Sequence, residues 1–560
     1  MCVCATGALA APAAPRLVQS ADARTIVRGH AANLDWGRPL ASGDFDGDGY
    51  DELVVAASES FGGGVSTVHI IRGGPGAHAR GVVNLATAPA DLVLIGASVD
   101  DNLGASLADG DVNGDGVDDL LVVASTGDFG GLQDRGIAYL LFGGAGFFDA
   151  PTRDMAVDAS WDMRILGPVA GGDMGGSLLF GGFDAEGAAI GNLNGDIYGD
   201  MALGVHLADG ADDGSGRVYV KFGGPFPSGF TLNLALSSGY DFVVWGAGEL
   251  DELGTVVKTG DLTGDGIDEL ILPDEYASQG LFTSEGAVFV FRGRGAWPSL
   301  FNLGTSPADI TLLGARDYDN LGQSAAVGDF NGDGITDLAA AAPGADAGAF
   351  NNQRGDGIVY GLLGGAQYQT ATHLIDLATD TVDFTLIGEF EENLGTLVTA
   401  GDYNGDGVDD IAAAEWFAGP NINGAVEVLL GRDFAPGASF TAAVDTDIRI
   451  LGAANDRISF SLATLNSNGD GLAEIAFGTP FNNANRGSAY LYTYVSADAD
   501  FDGDIDLRDL AELQPCVGNV FTAPATAPCV LLDNTLDEQV DGADLDGLLA
   551  EWTGPQTDNE

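Results

Sequence analysis

The chain is short of cations. Its 560 residues hold 21 Lys plus Arg against 83 Asp plus Glu, for a formal charge of −62, and only Lys221 and Lys258 are lysines. A polyanion of this kind repels nucleic acid and anionic membranes, which argues against both as partners. Cysteine is sparse as well: Cys2 and Cys4 lie in an Ala-rich opening, Cys516 and Cys529 near the end. Long apolar runs are missing, and no stretch approaches the roughly 18–20 residues of a membrane span. The five histidines form no pair at i, i+4, and no GxSxG, phosphate loop or dinucleotide fingerprint stands in its strand–helix context. Catalysis therefore finds little support, and the chain reads as a non-enzyme.

Glycine is abundant, with 86 residues, about twice the usual share of roughly 7%. That points to many tight turns between short strands, in a chain whose 45% hydrophobic content suits a folded core. The opening MCVCATGALAAPAAP reads as the back half of a secretory leader over residues 1–20, with ALA as the cleavage site and without the basic start. Export agrees with the chemistry that follows, because millimolar Ca²⁺ is extracellular.

One acidic nine-residue loop is written seven times. Five copies are full: Asp44, Asp46, Asp48 and Glu52 in the first; Asp111, Asn113, Asp115 and Asp119 in the second; Asp261, Thr263, Asp265 and Glu269 in the fourth; Asp329, Asn331, Asp333 and Asp337 in the fifth; Asp402, Asn404, Asp406 and Asp410 in the sixth. The third (Asn192, Asn194, Asp196, Asp200) and seventh (Asn466, Asn468, Asp470, Glu474) are degraded. Oxygens at positions 1, 3, 5 and 9, with a turn-making Gly at 6, suit a hard cation that takes six to eight oxygens at about 2.3–2.6 Å. Ligand charge predicts that the first loop binds Ca²⁺ most tightly. The third, with Ile197 in place of the turn Gly, and the seventh are expected to bind weakly or not at all.

Around each loop the same pieces recur in order. In the fifth unit ITLLGA (Ile310 to Ala315) precedes DNLGQSAAVGD; after the loop come LAAAAP (Leu338 to Pro343) and GIVYGLLGG (Gly357 to Gly365). These runs of four to eight residues, β-branched or aromatic and bounded by Gly, Asp and Pro, are strands. Four per unit and seven units predict an all-β, seven-bladed β-propeller over residues 24–495. The first unit opens on TIVRG (Thr25 to Gly29) and the last ends without a following strand. The N-terminal strand is therefore expected to complete the seventh blade beside residues 487–495, leaving no open sheet edge.

The pieces resemble the FG-GAP repeat of the integrin α-subunit head. The FG element reads LG at Leu103–Gly104, Leu253–Gly254, Leu321–Gly322 and Leu394–Gly395; the GAP element reads AAP at 341–343 and GTP at 478–480. The resemblance implies a seven-bladed propeller carrying Ca²⁺ loops, extracellular or at a cell surface, and adhesion or recognition without catalysis.

The character changes at 496–560. DADFDGDIDLRD places Asp498, Asp500, Asp502, Asp504 and Asp509 at EF-hand positions 1, 3, 5, 7 and 12, and DNTLDEQVDGAD (Asp533 to Asp544) is a damaged second copy. Each leads into a short helical pattern. The pair resembles a dockerin, which implies a small α-helical Ca²⁺ module and a cohesin-like partner. Cys516 and Cys529 lie in its connector and suit a stapling pair. The count of expected Ca²⁺ ions is five to eight. The expected ligand is an extracellular protein or glycan; the alternatives are a polysaccharide-degrading enzyme on a propeller scaffold and a cohesin-docking subunit.

Overall fold

The computed structural model describes residues 16–19, 25–29, 35–58, 64–75, 81–176, 186–278, 284–346, 355–419, 423–442, 444–453, 457–469, 471–480 and 487–493. The leader, Asp470, and the C-terminal module with Asp498, Asp500, Asp502, Asp504, Asp509 and the Cys516–Cys529 pairing lie outside the described residues.

Seven sheets form, one per acidic loop. Their innermost strands are Asp35–Gly43, Leu103–Gly110, Ala188–Gly191, Lys258–Gly260, Ala325–Gly328, Leu394–Gly401 and Ser461–Leu465. Each packs against the next in chain order, and the last packs against the first, so the ring is closed. The expected closure is observed. Strand Thr25–Arg28 pairs antiparallel with Ser488–Thr493, with Ile26 opposite Tyr490, and supplies the fourth strand of the seventh blade.

Four strands per blade was one too few. Every sheet has five. The extra strand is lent by the following unit: between its third and fourth strands the chain crosses back and pairs in parallel with the outer edge of the preceding blade. Thr152–Asp154 lies against Leu92–Ile95 in this way, and Phe230–Asn233 against Met163–Leu166. At the join, Arg16–Gln19 pairs with Ile448–Leu451 and Gly81–Asn84 with Thr25–Arg28. These strands are short and half exposed, as in the pattern of Thr152–Asp154, so they carry no two-residue alternation for a sequence reading to find.

The apolar core is divided among the seven blade interfaces. One cluster joins Phe45, Val54 and Ile70 of the first blade to Leu120, Val122 and Tyr139 of the second. Another closes the ring by packing Trp36 and Val55 against Ala476 and Leu491. Because each blade is covered on both faces, the second strands (Asp119–Ala124, Asp337–Ala342 and their counterparts) are buried at every residue. That explains their unbroken apolar runs. No helix among the described residues is long and apolar enough to cross a membrane.

Candidate metal centres

Each acidic loop joins the innermost strand of a blade to its second strand, and all seven lie on one face of the ring. Position 1 organises the loop backbone. Asp44 Oδ1 accepts from the N–H groups of Gly47 and Asp48, and its Oδ2 from Gly49. The same fan forms on Asp111 and Asp402. It needs a left-handed turn at two glycines: Gly47 has φ 75° and Gly49 φ 90°, conformations open to glycine at little cost.

Position 9 is a buried bracket. Glu52 is 1% exposed, and its Oε2 accepts the N–H of Phe45 at 2.9 Å. Asp119, Asp200, Asp337, Asp410 and Glu474 accept the same position-2 N–H in their loops, and Glu269 accepts the position-3 N–H of Thr263. Most reach a second donor at the end of the blade's third strand, as Asp119 does with Gly143 and Asp337 with Gly364. Burial, the leading cause, pushes Glu52, Glu269 and Asp410 up to about 8 and Asp119, Asp200 and Asp337 up to about 7. In the first loop the neighbouring Asp46, Asp48 and Asp44 add to the rise.

Two loops gather three carboxylates tightly. Oxygens of Asp44, Asp46 and Asp48 lie within 4.8 Å of one another, and so do those of Asp261, Asp265 and Glu269. Two oxygens 2.3–2.6 Å from one ion can be no more than about 5 Å apart, so both groups fit a divalent cation. The first loop carries a further sign: Asp46 Oδ1 and Glu52 Oε1 are buried without a hydrogen-bond partner among the described residues, a state a bound cation would relieve. Glu52 does not join the tight trio, and Asp46 is already met by Arg72 at 3.1 Å.

The second, fifth and sixth loops have the same backbone, with an Asn at position 3 in place of a carboxylate. Asn331 Oδ1 accepts from Asp333 N–H, and Asn404 Oδ1 from Asp406 N–H. The degraded third loop closes on itself. Asn192 Nδ2 donates to the carbonyl of Asp196 at 2.7 Å, and Asn194 Nδ2 to Asp200 Oδ1 at 3.2 Å. Ile197 stands where the other loops have a left-handed Gly, and its side chain is 75% exposed. In the seventh loop Asn466 Oδ1 takes Gly469 N–H, and Asn468 Nδ2 donates to Glu474.

A role at position 8 escaped the sequence reading. The N–H of Asp51 donates to the carbonyl of Asn466, position 1 of the preceding loop around the ring, and Asp51 Oδ2 accepts that residue's N–H. Asp118 Oδ2 accepts from Asp44, Asp268 from Asn192 and Asp409 from Asp329. Where position 8 has no carboxylate, as at Gly199 and Ala473, the backbone bond alone remains, to Asp111 and Asp402. The acidic doublets Asp51–Glu52, Asp118–Asp119, Asp268–Glu269 and Asp409–Asp410 were the available signal: the first acid clasps the neighbouring loop and the second braces its own.

A family model for the FG-GAP repeat matches residues 36–71 and 321–362, which contain the first and fifth loops. The chain carries FG-GAP repeats. Integrin alpha-PS2 of Drosophila melanogaster is 30% identical over 193 residues, 34% of this chain and 12% of the integrin. The chain thus spans about an eighth of that relative's length. Among solved structures, the exotype rhamnogalacturonan lyase YesX aligns over 84% of this chain and 76% of its own, with a TM-score of 0.38 and 12% identity. The rhamnogalacturonan lyase YesW aligns over 86% and 91%, with a TM-score of 0.29 and 12% identity. Likenesses of that size leave the chain's chemistry to its own residues.

Proposed function

We propose that this protein is an exported, Ca²⁺-stabilised FG-GAP propeller that recognises an extracellular protein or glycan without catalysing a reaction. The observation that carries this reading is the construction of the loop face. Its carboxylates brace backbone and gather into groups that fit a cation, so they act as pins of the ring. Recognition then falls to the opposite face, which carries none of the seven acidic nine-residue loops. The likeness to an integrin α chain supports an extracellular setting and a macromolecular ligand.

In this reading Asp44, Asp46, Asp48 and Glu52, with the matching residues of the second, fourth, fifth and sixth loops, hold Ca²⁺. The tail loop at Asp498–Asp509 holds one more and serves as a docking module for a cohesin-like partner. Binding of the whole chain to glycan and extracellular-protein arrays, with Ca²⁺ and with chelator, tests it. Ligand capture that needs Ca²⁺, without breakdown of the ligand, is the expected result. Release of reducing ends from polysaccharides would overturn the non-catalytic part.

A further inference from the structure

The sixth blade departs from the pattern of its siblings. At the middle of the third strand the other blades place a ring: His69, Tyr139, Tyr219, Phe289, Tyr360 and Tyr490. The sixth places Glu427 there, fully buried. At the end of the second strand, where Ala57, Ala124, Val205 and Ala342 stand in other blades and Asp274 in the fourth, it has Glu415, also fully buried. Both converge on Arg449 of the fourth strand: its Nη2 lies 3.0 Å from Glu415 and its Nε 2.9 Å from Glu427. Glu392 and Glu389 join from the loop before the innermost strand, at 2.9 and 3.5 Å. Thr446 Oγ1 donates to Glu427 Oε2 at 2.7 Å.

A buried charge cluster gains little stability over an apolar core and often costs some. The fourth blade buries carboxylates at the same end, at Asp251, Asp274 and Glu285, and the sixth is set apart by the arginine at the centre of its group. Four carboxylates also exceed what one guanidinium can balance. Burial first, then the carboxylate of Glu427, holds Glu415 well above the usual range against the pull of Arg449. The fully buried Oε1 of Glu415 has no hydrogen-bond partner among the described residues. Arg449 holds the partly exposed carboxylates of Glu389 and Glu392 above this buried base.

The rim of this cluster is aromatic. The strand Asp410–Glu415 starts at its acidic loop and ends at Glu415, which puts the cluster on the face away from the acidic loops, about 17 Å along the strand. Trp416 and Phe417 follow directly and stack with ring centroids 5.1 Å apart. Phe417 N–H donates to the carbonyl of Glu392, tying the two loops together. Phe390, next to Glu389, is 65% exposed and Phe417 41%.

Resting on the recognition reading above, we propose that this patch is its ligand site and that the ligand is a neutral glycan. Exposed aromatic faces stack on the C–H faces of sugar rings, and the accessible carboxylate oxygens of Glu389 and Glu392 accept hydrogen bonds from hydroxyls. Uronate sugars are repelled by the surplus of carboxylates. A lysine-rich polypeptide would compete with Arg449, which already occupies the centre of the charges.

The test is binding of the whole chain in millimolar Ca²⁺ to cellohexaose, mannohexaose and xylohexaose, with hexagalacturonate and oligolysine as contrasting probes, read by saturation-transfer NMR and calorimetry. At least one neutral oligosaccharide is expected to bind. Phe390→Ala with Phe417→Ala should weaken it about tenfold, the loss of roughly one aromatic contact. Both side chains are exposed, so the thermal midpoint should hold. Glu392→Gln tests the polar half by the same readout. Tighter binding of hexagalacturonate or oligolysine, or neutral binding unmoved by the aromatic pair, overturns the site. If array ligands bind with affinity unchanged in these variants, the site falls and the recognition reading stands. If nothing on the arrays binds, both fall.

Discussion

The backbone N–H of Asn466 donates to Asp51 Oδ2 at 2.6 Å, although the two residues are 415 positions apart. With the reciprocal bond from Asp51 N–H to the Asn466 carbonyl, it joins the seventh acidic loop to the first and closes the girdle of loops on that face. Asp51→Ala should destabilise the protein by about 1–3 kcal/mol, the cost of a lost charge-assisted bond and an orphaned donor. Asp51→Asn, which keeps an acceptor, should recover most of it. Urea unfolding of the two variants checks this; equal losses would show that the clasp does not depend on an acceptor there.

Removal of divalent ions should lower stability through several loops together. A site filled at a hundred times its dissociation constant contributes about 2.7 kcal/mol. Calorimetric melting in Ca²⁺ and in chelator should therefore show a large fall in midpoint. Asp44→Asn with Asp48→Asn should reduce the Ca²⁺-dependent part by about one site's share. A midpoint indifferent to chelator would remove the ions from the account of the fold.

The pH response of the chelated protein follows from the position-9 acids. Glu52, Glu269 and Asp410 lie at about 8 in the fold, well above their unfolded values near 4. Folding therefore favours the proton. Their contribution is most favourable below about pH 4, and it is lost as pH rises toward 8. Chelated protein should melt lower at pH 8 than at pH 5.5, and Ca²⁺, which binds the ionised form, should narrow or reverse the gap. A chelated midpoint that climbs across the same interval would contradict the buried-acid picture.

The ring's join can be loosened at one side chain. Val27, in the N-terminal strand that completes the seventh blade, is 1% exposed and packs in the cluster with Trp36, Ala489 and Leu491. Val27→Ala should cost about 2 kcal/mol. The loss should appear as easier proteolysis near the termini as well as a lower midpoint in denaturant.

The third loop offers a gain-of-function test. Ile197→Gly restores the left-handed turn, and Asn192→Asp with Asn194→Asp restores charge. The triple variant should bind one more Ca²⁺ per chain by calorimetry. No increase would mean that the turn and the charge are not what the loop lacks.

The strand order, the seven units and the N-terminal closure were legible because short buried apolar runs and turn chemistry leave a local imprint. Asp337–Ala342 and Ser488–Thr493 are examples. The fifth strands were not legible: Thr152–Asp154 earns its place from an edge supplied by another unit, a relation between distant segments. The acidic loops declared their composition, but the division of labour between Asp118 and Asp119 depends on which backbone each faces. Arg449 and its glutamates were invisible for the same reason. Glu389, Glu415, Glu427 and Arg449 come from separate strands and loops, and only the deviation of Glu427 from a run of aromatic counterparts hinted at them.

The lending of strands has a consequence for how such a molecule comes apart. No unit holds all the strands of its own blade, so excising one leaves a gap in a neighbour and strands a ribbon with nothing to lie against. Loss of any wedge exposes two freshly cut walls of valine, leucine and alanine. Melting should therefore proceed as one event around the whole circle instead of blade by blade, and shortening or lengthening the circle requires cuts placed inside the units, never at their borders.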